Sequence, residues 1–316
     1  MSALRTSAAP VALPAQRDRS GSRRTVPQRL GRSLTPWLFL APALIFFGVF
    51  KFWPSIWGVY LSLFHVQPYL GDQWLGAANF TRTLDDPDLQ AAVWHTVLDA
   101  FVQVAGSMLV GFVLALLLEG PARHLRILRT AVFLPAVIAM VAVAELWHAL
   151  LFPGRYGAVN SLLGDVGLGP LPFLASPNSS LWTIMLVQIW KHAPYDMVIF
   201  IAGLVGIDRE LYEQCSIDGA NAWQRLWNVT LPALRPITTI VLILGLIRGL
   251  RVFTEIYVLT GGGPGGSTES IVTYVYRNVV VNNDIGYAAA ISALLLAATI
   301  LLTAVTLWWR RHRENA

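Results

Sequence analysis

Charge is scarce in this chain. Only 13% of its 316 residues are Asp, Glu, Lys or Arg, whereas a soluble domain carries roughly a quarter. Apolar residues make up 55%, and the mean hydropathy is +0.56. Water is thereby excluded as the solvent for most of the chain, and lipid must take its place. Cysteine is rarer still. The lone Cys215 rules out an internal disulfide and any multi-cysteine metal site, and reads as a small packing residue. The histidines (His65, His95, His124, His148, His192 and His312) include no pair spaced i,i+4, so metal chemistry has no helical ligand pair to start from. A GxxxxGK[ST] phosphate loop is missing, which excludes the usual ATP site. No nucleophile-and-base constellation and no repeat of fixed period stand out.

What is present is a series of apolar runs at 36–64, 93–118, 131–152, 181–205, 236–260 and 287–309. Each is long enough to cross about 30 Å of hydrocarbon, so six transmembrane helices are expected in an all-α polytopic membrane protein. Lys51 and Pro54 interrupt the first run, predicting a kink or an extension beyond the bilayer. Residues 1–33, rich in Ala, Ser, Pro and Arg, read as a disordered basic cytosolic tail. They do not read as a cleaved signal peptide, because no apolar core follows the first few residues. The membrane domain is expected over 34–310 and a cytosolic C-terminal tail over 311–316. Basic residues collect in the tail, in the 119–130 and 206–235 loops and at the C-terminus; the opposite loops hold only Arg82, Arg155 and Arg277. Positive residues stay on the cytoplasmic side, so both termini are expected there, in a cell inner membrane. The opposite loops, about 65–92, 153–180 and 261–286, read as short caps. GGGPGG at 261–266 lacks a following lysine and reads as a flexible outer turn.

One polar stretch between apolar runs stands apart: EQCSIDGANAWQRLWNVTLPALRP, Glu213–Pro236. Helix formers run to Ala220, and Asp218-Gly219 signals a turn because glycine takes φ > 0 at no steric cost. A second short helix is expected over Ala222–Val229, stopped by Pro232; Pro236 opens the next span. Exposed Trp223 and Trp227 gain nothing in a solvated loop but suit a docking element.

Glu213, Ile217-Asp218-Gly219-Ala220 and Leu231-Pro232 together resemble the "EAA" loop of ABC importer membrane subunits. LGAANF (75–80), FLPAVIAMVAVAELWHALLF (133–152), GIDRELYEQCSIDGA (206–220), VFTEIYVLTGGGPGGSTES (252–270) and GYAAAISALL (286–295) are similar to the carbohydrate-uptake, maltose-type branch of that family. The resemblance implies an ABC importer permease fold with no cofactor of its own. It also implies a second homologous permease subunit, a dimeric cytosolic ATPase that binds ATP and Mg, and an extracytoplasmic solute-binding protein. The 206–235 loop would be the coupling helix, with Glu213 orienting it, Gly219 permitting its turn, and Leu226 and Trp227 packing into the ATPase or the loop's own base. Gln214 and Cys215 replace the family's two alanines, and Leu226 its usual phenylalanine.

Charge inside a span costs several kcal/mol unless paired or wetted. Lys191, His192 and Asp196 cluster around Pro194, which frees backbone groups. Arg248, Arg251 and Glu255, at spacings of three and four, are expected on one helix face. These groups either line a polar solute path or, alternatively, Arg251–Glu255 is an internal ion pair and Lys191 snorkels. Trp190, Tyr195, Phe253 and Tyr257 are candidate aromatic platforms for a sugar. The resulting reading is a non-enzymatic permease subunit that imports a sugar or sugar-like solute by alternating access. A glycerol-phosphate-type solute is a second reading, and a proton-coupled transporter using Asp196 or Glu255 is a third from another class. A membrane enzyme finds no catalytic residues.

Overall fold

The structure is a computed structural model describing residues 35–67 and 71–314. The predicted tail at 1–33 lies outside the described residues, as do residues 315–316 of the predicted C-terminal tail. Two compact units divide at Lys51. The first contains α1 (Thr35–Phe47), which carries Pro42 and runs into a π-helical turn, Gly48–Phe52. Lys51 lies 5.9 Å above the Phe47 ring.

The second unit, from Phe52 on, is built from helices α2 (Trp53–Leu61), α3 (Ala78–Asp85), α4 (Pro87–Leu118), α5 (Arg123–Val137), α6 (Met140–Leu150), α7 (Ala158–Asp165) and α8 (Ser180–Val205). It continues through α9 (Arg209–Ile217), α10 (Ala222–Arg225), α11 (Leu231–Ala233), α12 (Arg235–Leu250), α13 (Thr254–Leu259), α14 (Ile271–Val280) and α15 (Ile285–Glu314). Among the described residues the only sheet pairs Phe64–His65 with Gln73–Trp74. Three helical stretches, Phe39–Leu61, Pro87–Leu118 and Ile285–Trp308, are long and apolar enough to cross a membrane. Two bent pairs raise that to five: α5 with α6, turned by 95°, and Ala222–Ala233 with α12, turned by 65°. The remaining apolar run forms the 26-residue α8, about 39 Å long. Its middle holds Gln188, Lys191, His192 and Asp196, and that polarity sets it apart.

Capping explains one boundary. Asp86 accepts hydrogen bonds from the amides of Asp88 (3.0 Å) and Leu89 (3.2 Å), so α4 begins at Pro87, several residues before its apolar run. Packing explains the centre. A Cβ on Gly249 would lie 2.8 Å from Ala100, and one on Gly245 2.9 Å from Val104. Likewise, one on Gly111 would lie 2.8 Å from the Ala193 carbonyl. Glycines at these crossings let α4 approach both α12 and α8, the usual device where lipid offers no hydrophobic drive between helices. The end of this trio nearest the 206–235 loop is filled by Ala115, Leu118, Met197, Phe200, Leu204 and Val241.

Two local expectations need correction. Pro232 does not stop the helix before it: a π-helical turn, Leu226–Thr230, leads into α11, where proline occupies the first turn and its missing N–H is not needed. Nor do Arg248, Arg251 and Glu255 share a helix face. α12 ends at Leu250, Arg251 leaves helical geometry (φ −111°, ψ 19°), and Glu255 belongs to α13. The expected Arg251–Glu255 pair therefore has no i,i+4 spacing to form on.

Candidate functional site

Where α4, α8 and α12 cross lies an open-sided cavity of about 360 Å³, with polar side chains set among apolar ones. Gln103 reaches it from α4, Gln188 and His192 from α8, Arg248 from α12, Arg251 from the break, and Glu255 from α13. The break puts them in one place, because it lets the chain turn and present Glu255 back towards α8. The His192 ring stands 3.8 Å from the Glu255 carboxylate. Arg248 extends to Asp196 at 3.2 Å, tying α12 to α8.

The hydrogen-bonding of this centre is incomplete. Gln103 Oε1, Gln188 Nε2, Asp196 Oδ2, Arg248 Nε and both carboxyl oxygens of Asp99 are buried without a hydrogen-bond partner among the described residues. Each such atom costs about 1–3 kcal/mol if left alone. Gln103, Gln188 and Arg248, one from each of three helices, thus bring an unpaired donor or acceptor atom to one cavity. The arrangement suits a solute that both donates and accepts hydrogen bonds, as a polyol does.

The predicted site residues separate into groups. His192, Arg248, Arg251 and Glu255 line the cavity, and Asp196 joins through Arg248. Lys191 turns away. It is buried, and its Nζ donates to the carbonyls of Pro135 (2.8 Å) and Ile138 (2.5 Å). Those carbonyls flank the 95° bend between α5 and α6, where Pro135 and the break leave backbone groups unpaired. Trp190 packs edge-on against Trp147 at 5.5 Å, and Tyr195 is exposed; neither lines the cavity. Phe253 stacks on Tyr257 at 5.1 Å, and both meet Tyr276. Gln103, Gln188 and Asp99 escaped the sequence reading. The signal was there, since each is a polar residue within a largely apolar run.

A second feature faces the other way. Asp208 caps α9 by accepting from the Glu210 amide. The helix closes on Gly219 at φ +76°, with the Ala220 amide donating to Cys215 O, a left-handed ending that favours glycine. Asn221 and Gln224 form a reciprocal capping box that starts α10. The turn leaves Glu213, Ile217, Asp218 and Gly219 exposed, with Ile217 85% open. Trp223 and Trp227, 64% and 55% open, meet edge-to-face at 5.7 Å. Ala220, Leu226, Leu231 and Pro232 are half-buried at its base, and the Tyr212 hydroxyl meets that of Thr230 at 3.1 Å.

On the side opposite this loop, a polar knot joins distant parts of the chain. Asp86 accepts from the hydroxyls of Tyr274 and Tyr287. Arg82 pairs with Asp284 at 2.6 Å, and Arg277 with Glu269 at 2.9 Å and Asp88 at 3.4 Å. Burial works to raise the Asp86 carboxyl, but the two hydroxyls and the capped amides outweigh it and hold it below the usual carboxylate range. Burial and the bond to Asp86 push Tyr274 up to about 12.

Comparison with known proteins places this geometry. Residues 107–315 match the family described as binding-protein-dependent transport system inner membrane component. The chain is 34% identical to the sulfoquinovosyl glycerol transport system permease protein of Agrobacterium fabrum, over 88% of this chain and 91% of that one. It is 33% identical to the trehalose/maltose transport system permease protein of Thermococcus litoralis, over 88% and 94%. A solved bacterial ABC transporter involved in the import of the acidic polysaccharide alginate superposes with a TM-score of 0.79 at 26% identity, covering 89% of this chain and 96% of that one. The chain belongs to the binding-protein-dependent transport system inner membrane component family. It is an all-α, multi-pass permease subunit of an ABC importer, a transport component and not an enzyme. Neither the glycerol-phosphate reading nor the proton-coupled one is favoured by these relatives.

Proposed function

We propose that this subunit carries a saccharide across the inner membrane through the cavity between α4, α8 and α12. The observation that carries the reading is the set of unpaired buried groups on the cavity residues Gln103, Gln188 and Arg248. A hydroxyl-rich solute would satisfy them as it passes. The names of the relatives (sulfoquinovosyl glycerol, trehalose/maltose and arabinooligosaccharides) support a saccharide cargo. Both termini face the cytoplasm, as the basic residues suggest. The exposed Glu213–Trp227 surface docks on a cytosolic ATPase that holds ATP and Mg, and a second permease subunit completes the pathway. A bacterial alginate ABC transporter solved with an alginate pentasaccharide-bound periplasmic protein, at 25% identity and a TM-score of 0.77, supports delivery by a binding protein. ATP-driven closure of the ATPase pair then draws the loop inward and shifts the membrane helices between two access states.

The test is uptake of radiolabelled trehalose, arabinotriose and sulfoquinovosyl glycerol by the assembled importer in proteoliposomes. Gln188→Leu removes an unpaired donor from the cavity while keeping a similar volume. It is expected to raise the half-saturating saccharide concentration about tenfold, the equivalent of one lost hydrogen bond of ~1.4 kcal/mol. Unchanged uptake in this variant contradicts the assignment of the path.

A further inference from the structure

A second cavity, of about 500 Å³, opens on the other side of α13. Tyr257 lines it, whereas Glu255, two residues earlier, lines the first. Residues two apart on a helix point about 200° apart, so this six-residue helix is a partition between the two spaces. The remaining lining comes from Gly261–Gly263 and Gly266 in the loop, Glu269, and Thr273, Tyr276, Arg277, Val280 and Val281 at and beyond α14.

The chemistry of this wall is not that of a lipid-facing surface. Tyr257 and Tyr276, 45% and 37% exposed, present rings 5.1 Å apart, with their hydroxyls 3.5 Å from each other. Phe253 backs both rings at 5.1 and 5.4 Å, so they are held from behind. Glu269 is buried, yet its carboxylate borders the cavity, held by Arg277 at 2.9 Å. Arg277 is itself fixed between Glu269 and Asp88 and lies 5.0 Å above the Tyr274 ring. The glycines at 261, 262 and 266 have φ of +62°, +90° and +78°, and a side chain there would be strained. Their bareness leaves backbone at the cavity wall where side chains would otherwise fill it.

An aromatic face, a pre-positioned carboxylate and a fixed guanidinium within a few hundred cubic ångströms are what a pyranose ring requires: apolar C–H groups on one face and hydroxyls around the rim. We infer that this cavity is an outer saccharide site, in which a sugar ring rests on Tyr276 and Tyr257 and its hydroxyls engage Glu269 before the solute enters the inner cavity. The inference rests on the proposed saccharide cargo. With Asp86, Asp88 and Glu269 set against Arg277, the surroundings carry an excess of negative charge, so the site favours neutral rings over acidic ones. Phe253 and Tyr257, picked out in the sequence as platforms for the transport path, would then serve this outer position.

The experiment uses the assembled importer in proteoliposomes with its binding protein, and reads uptake and ATPase stimulation side by side for trehalose, arabinotriose and sulfoquinovosyl glycerol. Tyr276→Ala is expected to lower trehalose uptake at sub-saturating concentration at least fivefold more than it lowers ATPase stimulation. Tyr276→Trp, which keeps a ring, is expected to recover most of that loss. Equal loss of uptake and stimulation would assign Tyr276 to contact with the binding protein and overturn the site. Equal damage by alanine and tryptophan would reduce it to packing. A Tyr276→Cys variant on a Cys215→Ser background gives a readout that does not depend on turnover. Trehalose at millimolar concentration, without ATP, is expected to slow its labelling by a membrane-impermeant maleimide at least threefold, and an unchanged rate overturns the site. If the unmutated importer takes up none of the three saccharides, the cargo assignment falls and this site with it. If uptake is normal and Tyr276 is inert, only the outer site falls.

Discussion

Lys191 shows how a charge inside a membrane protein acquires a purpose from its surroundings. Read along the chain it belongs with His192 and Asp196, but a helix places neighbours 100° apart, and its long stem carries the ammonium to the carbonyls of Pro135 and Ile138. Lys191→Met keeps the stem and removes the donor, leaving two buried carbonyls short of a partner. At about 1–3 kcal/mol each, this is expected to lower the melting temperature of the purified importer by several degrees, read by thermal unfolding of the detergent-solubilised complex. An unchanged melting temperature contradicts the role. Arg248 is different, since it spends one nitrogen on Asp196 and leaves Nε unpaired. That residue both braces two helices and lines the cavity, so Arg248→Lys is expected to keep assembly while weakening uptake, because an ammonium cannot reproduce the guanidinium fork.

At the scale of elements, two features decide where the site lies: the end of α12 at Leu250 and the glycines that let α4 pass close by. Gly249→Leu places branched carbons where a Cβ alone already falls 2.8 Å from Ala100 Cα. It is expected to abolish stable assembly, judged by size-exclusion chromatography, with Gly249→Ala intermediate. The polar knot around Asp86 has a pH signature. Because the folded structure holds the Asp86 carboxyl below its ordinary value, Asp86 contributes stability at pH above its unfolded pKa and loses it as pH falls through the folded one. Glu269, raised chiefly by burial despite Arg277, works in the opposite sense, losing its contribution as pH rises through its folded pKa. Asp86→Asn keeps a capping side chain but is expected to flatten the acid limb of the melting-temperature profile below about pH 4. A variant profile parallel to that of the unmutated protein contradicts this. The sequence made the helices legible, because six oily runs leave few alternatives, and the Asp-Gly turn and its exposed tryptophans fell where the motif put them. It could not show the break at Arg251–Phe253, since no proline or glycine pair marks it: tertiary packing of Val252 and Ile256 against Val143 and Ile184 stabilises a departure from helix that local propensity does not signal. The site residues followed the same division. The charged members were visible, whereas Gln103 and Gln188 gained meaning only when the glycine crossings brought α4, α8 and α12 together.

For the molecule as a whole, the cavity and the exposed loop are joined through α12, which begins directly after α11 and ends at Leu250, with Arg248 on the cavity wall. On the proposed docking, movement imposed on Trp223 and Trp227 would have a helical route to Arg248, and Gly219 at φ +76° would set the angle of the loop. On the proposed mechanism, this chain moves a saccharide only when ATP hydrolysis elsewhere drives that loop. The measurement that tests it most directly is saccharide uptake by the reconstituted importer, with ATP inside the vesicles and with or without a protonophore. Uptake is expected to require both ATP and the binding protein, to persist with the protonophore, and to fall at least tenfold in a Trp223→Ala/Trp227→Ala variant. Uptake that continues without ATP, or that collapses when the proton gradient is removed, would contradict it.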